Sequence, residues 1–421
     1  MARRNELDAT GARGSRALRW RRGSRMLVTS IVLLGLAAIV TAGAPLAGGA
    51  SDRGTNDWKV ESTPNPASAD ISYLSSVACR SRRACTAVGG SSHSLSSTSR
   101  TLAERWDGAR WRIQPIPTPQ GTSDGLSGVS CSSTRACVAV GGAFHMAGRR
   151  QTALIEAWDG RRWRVQASPA IAAPSALYAV SCTSATSCVA VGHTLVEPQH
   201  AIVERWDGTT WRIQPIPPLA KDTALSGVSC SRARACTAVG WNNATGTTRP
   251  LALSWNGKTW RMQTVPLPQI APPSRSPRPA RAGMFDGVSC TSPRACTATG
   301  TDFNHPGGPT LAERWNGKTW RVEPTPNPPN WSASLAEVTL DGVSCTTSEA
   351  CTAIGEYNPG HRTQYFIESW NGKRWRLEPA PHPAGFAHGA LLGISCASAR
   401  CTAVGGYTGT VRLQVTLAIG G

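Results

Sequence analysis

Fourteen cysteines are the residues whose type and spacing carry the most chemistry in this chain. They fall as seven close pairs: Cys79 and Cys85, Cys131 and Cys137, Cys182 and Cys188, Cys230 and Cys236, Cys290 and Cys296, Cys345 and Cys351, Cys396 and Cys401. One pair supplies only two metal ligands, so each reads as a bridge and not as half of a zinc site. No odd thiol is left over, which is the pattern of a disulfide framework in an oxidising compartment. The other candidates for chemistry are eight histidines (His93, His145, His193, His200, His305, His361, His382, His388) together with Asp302, Glu197 and Glu356. No two of these histidines have the i, i+4 spacing of a metal motif, and they are scattered along the chain, so neither metal nor cofactor is expected.

Successive first cysteines lie 52, 51, 48, 60, 55 and 51 residues apart, and such a period marks a repeat protein. Between the cysteines of a pair runs a short polar loop flanked by small and β-branched residues, which is a hairpin by length and composition. A second hairpin follows in six repeats as Trp-(Asp/Asn)-Gly-x-x-Trp, from Trp106 and Trp111 to Trp370 and Trp375. Proline-rich residues such as Pro115-Ile116-Pro117-Thr118-Pro119 then stop the sheet. Four antiparallel strands every fifty or so residues cannot bury both faces alone but can when packed radially, so the fold class is all-β: a seven-bladed β-propeller of four-stranded antiparallel blades with one disulfide per blade. The seventh repeat runs out after residues 411–419 without a fourth strand, while the segment from Asn56 to Pro66 matches the fourth strand and tail at Trp320 to Pro328. The N-terminal strand is therefore expected to complete the last blade and close the ring.

The Ala-Val-Gly-Gly close of the second strand, as at Ala139 to Gly142, resembles kelch-type propellers, and Ser254-Trp255-Asn256-Gly257-Lys258-Thr259-Trp260 resembles a shortened Asp-box. Kelch repeats lack the cysteine pair, and the Asp-box spaces its Gly and Trp one residue further from its Ser. Composition and motif also resemble exported repeat proteins of actinobacteria. This resemblance implies the fold from Trp58 to the C-terminus and no particular activity.

Export is read from the start of the chain. Residues 1–25 carry eight arginines as a basic n-region, residues 26–50 hold an uncharged apolar run and small residues that suit a cleavage site, and residues 51–421 form the propeller. The apolar run of about 18 residues is near the lower limit for a membrane span, so a retained anchor with the N-terminus inside is the alternative to a cleaved signal peptide. The location is extracellular or at the cell envelope. Formal net charge is +19, of which the first 25 residues contribute +6. Arginine outnumbers lysine 39 to 5 and recurs at one repeat position, so the basicity reads as spread around the fold. Anionic cell-surface polymers suit it better than DNA, and nucleic acid is disfavoured.

Letting strands A to D alternate in direction puts the A-B and C-D turns on one face of the disc and the B-C loops and D-A connections on the other. The first face barely varies between repeats; the second carries what differs. Glu104, Glu156, Glu204, Glu313 and Glu368, two before the third-strand Trp, and the Arg after the fourth-strand Trp repeat too often to be one active site, and read as cross-strand or blade-to-blade pairing. Trp241 and Trp331 lie outside the repeating pattern and are the leading ligand-binding residues, with Phe303, His305, Tyr357, His361, His145 and His193 extending the surface; Phe144 and Tyr407 fall in the same loops. The expected function is binding of a cell-envelope glycan or extracellular protein by a monomer without catalysis. The alternative is a glycoside hydrolase or polysaccharide lyase, which needs two carboxyl groups outside the repeat pattern facing one pocket.

Overall fold

The computed structural model describes residues 57–93, 98–119, 121–244, 246–266, 283–303, 310–329, 338–359, 362–409 and 414–421. The basic and apolar segments read as an export signal or anchor lie outside the described residues. The described residues form seven four-stranded antiparallel sheets, and none of them is helical. In blade 2 strand A is Thr122–Ser133, strand B Ala136–His145, strand C Arg150–Trp158 and strand D Trp163–Gln166. The other A strands are Ile71–Ser81, Ser175–Ser184, Asp222–Arg232, Met284–Ser292, Val338–Thr347 and His388–Ala397. Each touches the A strand of the next blade, and the seventh touches the first, so the A strands are the inner ring.

Blade 7 takes its outer strand from the other end of the chain. Its order is Lys59–Glu61, Val415–Gly420, Arg400–Thr408, His388–Ala397, with Lys59 opposite Gly420 and Glu61 opposite Ala418. The junction is stitched further: Thr63 Oγ1 donates to the Thr416 carbonyl at 3.0 Å, Ser72 N–H to the Gln414 carbonyl at 3.0 Å, and Gln414 N–H to the Asp70 carbonyl at 3.2 Å. Gly421 stands where other blades have the third-strand Trp, and Trp58 where they have the fourth-strand Trp, so the chain break takes the place of a C-D turn.

All seven expected bridges form. Cys79 is joined to Cys85, Cys131 to Cys137, Cys182 to Cys188, Cys230 to Cys236, Cys290 to Cys296, Cys345 to Cys351 and Cys396 to Cys401, with Cα atoms 3.9–4.0 Å apart. The second cysteine of each pair is the second residue of strand B, directly opposite the first and near the end of the A-B ladder: Cys85, Cys137, Cys188, Cys236, Cys296, Cys351 and Cys401 are all buried there. None of the fourteen is left as a free thiol or a metal ligand. In the chain-entropy model so short a loop contributes roughly 2 kcal/mol per bridge. Between blades, the serine before the first cysteine accepts the N–H of the next blade's cysteine at 2.9 Å, from Ser130 to Cys182 and onward to Ser395 and Cys79. Blade 1 has Ala78 at this position, and there Ser76 Oγ accepts from Val129 N–H at 3.2 Å instead.

The core is divided into seven clusters, each shared by two neighbouring blades. Val88 and Ala103 of blade 1, for example, pack with Leu126, Val129, Leu154 and Trp163 of blade 2. Near the axis the backbones approach so closely that a Cβ on Gly128 would lie 2.8 Å from the Tyr178 carbonyl oxygen, and one on Gly393 2.6 Å from Ser76 Cα. Glycine there is a packing requirement. At the rim the fourth-strand tryptophans are buried to within 3–6 % exposure. Several donate Nε1–H to the Gln or Glu three residues after the previous blade's Trp: Trp111 to Glu61 at 2.8 Å, Trp163 to Gln114 at 3.2 Å, Trp211 to Gln166 at 2.8 Å.

Both kinds of hairpin turn emerge on one face. The third-strand tryptophans show it directly, since Trp106 Nε1–H donates to the Arg82 carbonyl and Trp206 Nε1–H to the Ala185 carbonyl, each bridging from the C-D turn to the A-B turn of its blade. The expected division into an invariant turn face and a variable loop face therefore holds.

Candidate functional site

The repeated carboxyls do something other than pair. Glu104, Glu156, Glu204, Glu313 and Glu368 are fully buried between blades, where blades 4 and 7 have Leu253 and Ile419. Only Glu204 has a protein donor, Ser168 Oγ at 2.9 Å; the oxygens of the other four have none among the described residues. Burial raises Glu104, Glu156 and Glu313 from 4.5 to about 8, Glu368 to about 9 and Glu204 to about 7. Burial favours the protonated form of all five; Glu204 makes the expected blade-to-blade hydrogen bond, with Ser168 of blade 2, and the other four do not make one among the described residues. In blades 1 to 3 the repeated arginine pairs within its own hairpin: Arg112 with Asp107 at 3.2 Å, Arg164 with Asp159 at 3.1 Å and Arg212 with Asp207 at 3.5 Å. The arginine before the third-strand Trp reaches the next blade, with Arg105 over Trp158 at 5.8 Å and Arg314 over Trp370 at 4.5 Å.

Of the residues singled out on the loop face, several belong to strands. Trp241 is half-buried inside the strand Ala235–Asn243, opposite Ala224 and Pro250. His193 lies in Ser187–Thr194, stacks on Tyr178 with ring centroids 4.5 Å apart, and is pushed below its ordinary value by burial. His145 ends its strand with Nε2 2.9 Å from Thr152 Oγ1. Tyr357 ends Ala350–Tyr357 and meets Phe366 edge-on at 6.0 Å, so its ring is part of the blade-6 core. Phe303 is half-buried just after the strand Ala295–Thr301. Trp331, His305 and His361 lie outside the described residues. The residues expected to bind do not gather: Trp241, His145 and His193 belong to blades 4, 2 and 3, Tyr357 to blade 6. Among the described residues no three His, Cys, Asp or Glu side chains converge as metal ligands.

Two features escaped the sequence reading. The first is an acidic pair at the inner ring. Asp286 and Asp341 occupy one position of the A strands, where the other blades have Ser75, Ser127, Tyr178, Ser226 and Leu392. Thr339 Oγ1 of blade 6 donates to Asp286 Oδ2 of blade 5 at 3.3 Å, while Asp341 Oδ2 is shut off from solvent and has no hydrogen-bond partner among the described residues. Burial pushes Asp286 up to about 7; burial first, then the charges of Glu356 and Asp286, holds Asp341 well above the carboxylate range. The signal was available as Asp-Gly-Val-Ser-Cys in two repeats only, but Asp-Gly reads as a turn.

The second is a cleft of about 280 Å³ on the loop face at the ring junction. It is lined by Glu356 and Thr363 of blade 6, His388, Tyr407, Thr408 and Gln414 of blade 7, and Ile71 of blade 1. Beside it an aromatic group packs on itself, with Phe386 against Tyr407 (6.1 Å), His382 (4.4 Å) and Tyr365 (5.5 Å). The place lies where blade 7 meets blade 1, with Gln414 held by the backbone of Asp70 and Ser72.

No family model matches the chain, and no curated protein matches it, so the likeness to kelch and Asp-box propellers rests on motif alone. Solved structures similar to it include YCF48 bound to D1 peptide (TM-score 0.49, 12% identity, over 86% of this chain and 95% of that one). They also include YCF48 from Cyanidioschyzon merolae (0.48, 11%, 86% and 98%). A third is a protein of unknown function from Dyadobacter fermentans (0.46, 9%, 86% and 97%).

Proposed function

We propose that the protein is an exported, non-catalytic binding propeller that takes a cell-envelope glycan on its loop face, in the cleft at the junction of blades 6, 7 and 1. The observation that carries this reading is the composition of that cleft. Its lining joins the aromatic ring of Tyr407, which is stacked on Phe386, with Glu356, Thr363, His388 and Gln414, whose side chains are of types able to bond sugar hydroxyls. Its volume lies at the lower end of ligand pockets, which suits one ring of a longer chain. Seven disulfides support an oxidising location outside the cytoplasm.

The enzymatic alternative has a pair of carboxyls outside the repeat pattern in Asp286 and Asp341, but their setting disfavours it. A hydrolase of the usual kind holds its two carboxyls about 5 to 10 Å apart across a substrate, whereas Asp341 Oδ2 is closed in between blades. Calorimetric titration of the protein with soluble envelope oligosaccharides is the test. Binding is expected, weakened at least tenfold by Tyr407→Ala and left intact by Asp286→Asn with Asp341→Asn. Binding indifferent to Tyr407, or turnover of the sugar that vanishes with the two aspartates, refutes the reading.

A further inference from the structure

The third-strand tryptophans fall into two classes, set by the residue that precedes the same tryptophan one blade back. Blades 1, 3 and 5 have Arg105, Arg205 and Arg314 there. Each guanidinium lies over the third-strand Trp of the following blade, Trp158, Trp255 and Trp370, at 5.8, 5.6 and 4.5 Å. Arg105 Nη2 also donates to the Thr134 carbonyl of the next A-B turn at 2.9 Å, and Arg314 Nη2 to the matching Ser348 carbonyl. The Nε1–H groups of Trp158, Trp255 and Trp370 then have no acceptor among the described residues. Blades 2 and 4 have Ala157 and Ser254 instead, and the next tryptophan bonds the turn itself: Trp206 Nε1–H donates to the Ala185 carbonyl at 3.1 Å and Trp315 Nε1–H to that of Pro293 at 3.3 Å. Where Arg105 and Arg314 stand, the turn carbonyl belongs to the guanidinium; where the arginine is missing, it belongs to the indole. At the junction of blades 7 and 1 the cation over Trp106 is Arg400 of strand B, at 5.9 Å and held by Glu61, and Trp106 keeps its bond to Arg82.

The junction of blades 2 and 3 keeps the place of the missing side chain open. The cleft there is about 420 Å³, with Ala157, Ala185 and Trp206 in its lining. The same place between blades 5 and 6, lined by Arg314 and Ser348, has no room for a water molecule. Trp206 is half-buried, and Arg135, Ser184 and Ala185 of the lining are exposed, so the cleft is reached from solvent.

The charged side chains lining the cleft are Arg135, Asp159 and Arg164, the last two paired at 3.1 Å, which leaves one positive charge. That charge does not turn a guanidinium away. Arg105 sits in a junction whose corresponding residues are Arg83, Asp107 and Arg112, and Arg314 in one with Arg294, Asn316 and Arg321, which is more positive still. In both, the aromatic face and the turn carbonyl outweigh the like charges.

We infer that this cleft takes the guanidinium of an arginine side chain presented by a partner protein, stacked on Trp206 and donating to the Ala185 carbonyl. An arginine side chain is the form in which the molecule itself fills the matching places, and a planar fork of donors can stack and bond at once where an ammonium is only a point charge. The cleft lies beside the turns of blades 2 and 3, away from the junction of blades 6, 7 and 1, so this inference stands apart from the proposed function.

The test is nitrogen–proton correlation NMR of the indole groups in the full chain, with Trp206 identified by its loss in Trp206→Phe. Titration with acetyl-Gly-Arg-Gly-amide is expected to shift the Trp206 indole saturably and to speed its exchange with water, as Ala185 passes to the guanidinium, while Trp158 and Trp370 stay unmoved. The lysine counterpart should bind about fivefold more weakly. Ala157→Arg should fill the cleft from within, put the Trp206 indole at its peptide-bound position without peptide, and abolish the response. Absence of a shift, an equal response to the lysine peptide, or a response that persists in Ala157→Arg overturns the inference; the lysine comparison decides it even if Ala157→Arg fails to fold. The same shift produced by raising protein concentration alone would mean that the arginine is a second copy's, and the partner assigned here is wrong.

Discussion

Glu104 shows how a residue in one sequence position can be polar by type and apolar by role. It stands where Leu253 and Ile419 stand in blades 4 and 7, it is fully buried, and burial raises it from 4.5 to about 8. Between those two values the unfolded chain has released the proton and the folded chain has kept it. The contribution is fully present below about pH 4.5 and is lost as pH rises toward 8. Glu156, Glu313 and Glu368 have the same sign. Stability in denaturant melts is therefore expected to fall between pH 5 and 8. Glu104→Leu should flatten that slope and gain about 1 to 2 kcal/mol at pH 8, with little change at pH 4.5. A variant that loses stability at both pH values would mean that this carboxyl makes a bond worth more than its burial costs. The turn aspartates have the opposite sign. Backbone N–H groups of Arg162 and Arg161 hold Asp159 below its ordinary value, so its contribution is lost on acidification.

At the scale of the element, the A strand does most to specify the ring. Its small residues let backbones meet at the axis, its serine ties each blade to the next, and its cysteine locks the hairpin. The serine bond is absent from one junction because blade 1 has Ala78. Ala78→Ser is expected to supply it to Cys131 N–H and raise stability by about 0.5 to 1.5 kcal/mol, and Ser181→Ala to remove a similar amount. Equal, null effects of both in thermal unfolding would show that these bonds merely replace bonds to water. Much of this was legible from the sequence, because the cysteine spacing, the Trp-x-Gly-x-x-Trp hairpins and the small residues before each cysteine repeat seven or six times over. The B-C region was not. Trp241 reads as a loop residue because the second strand has no repeated feature past its glycine, yet the strand runs on to Asn243. The cleft was invisible for a different reason. Glu356, Tyr407 and Ile71 come from separate blades, and only ring closure brings them to one place.

For the whole molecule, closure is the event on which both faces depend. Trp58 is 6% exposed in the last core cluster, packed with Leu417 and Ile419, and its strand completes blade 7. Trp58→Ala is expected to cost about 3 to 5 kcal/mol, and to cost sugar binding as well, since Gln414 and Ile71 lose their registration at the junction. A propeller in which that variant unfolds normally and binds normally would not be closed by its first strand. With closure in place the disc has two unlike surfaces, one made by turns that recur from blade to blade and a varied one made by the loops. The most direct test of this division is amide hydrogen exchange on the protein, with and without a bound envelope oligosaccharide. Protection is predicted at residues 355–357, 388–390 and 406–408, with the cysteine and Asp/Asn-Gly turns unaltered. Protection confined to those turns, with the junction unchanged, would contradict it.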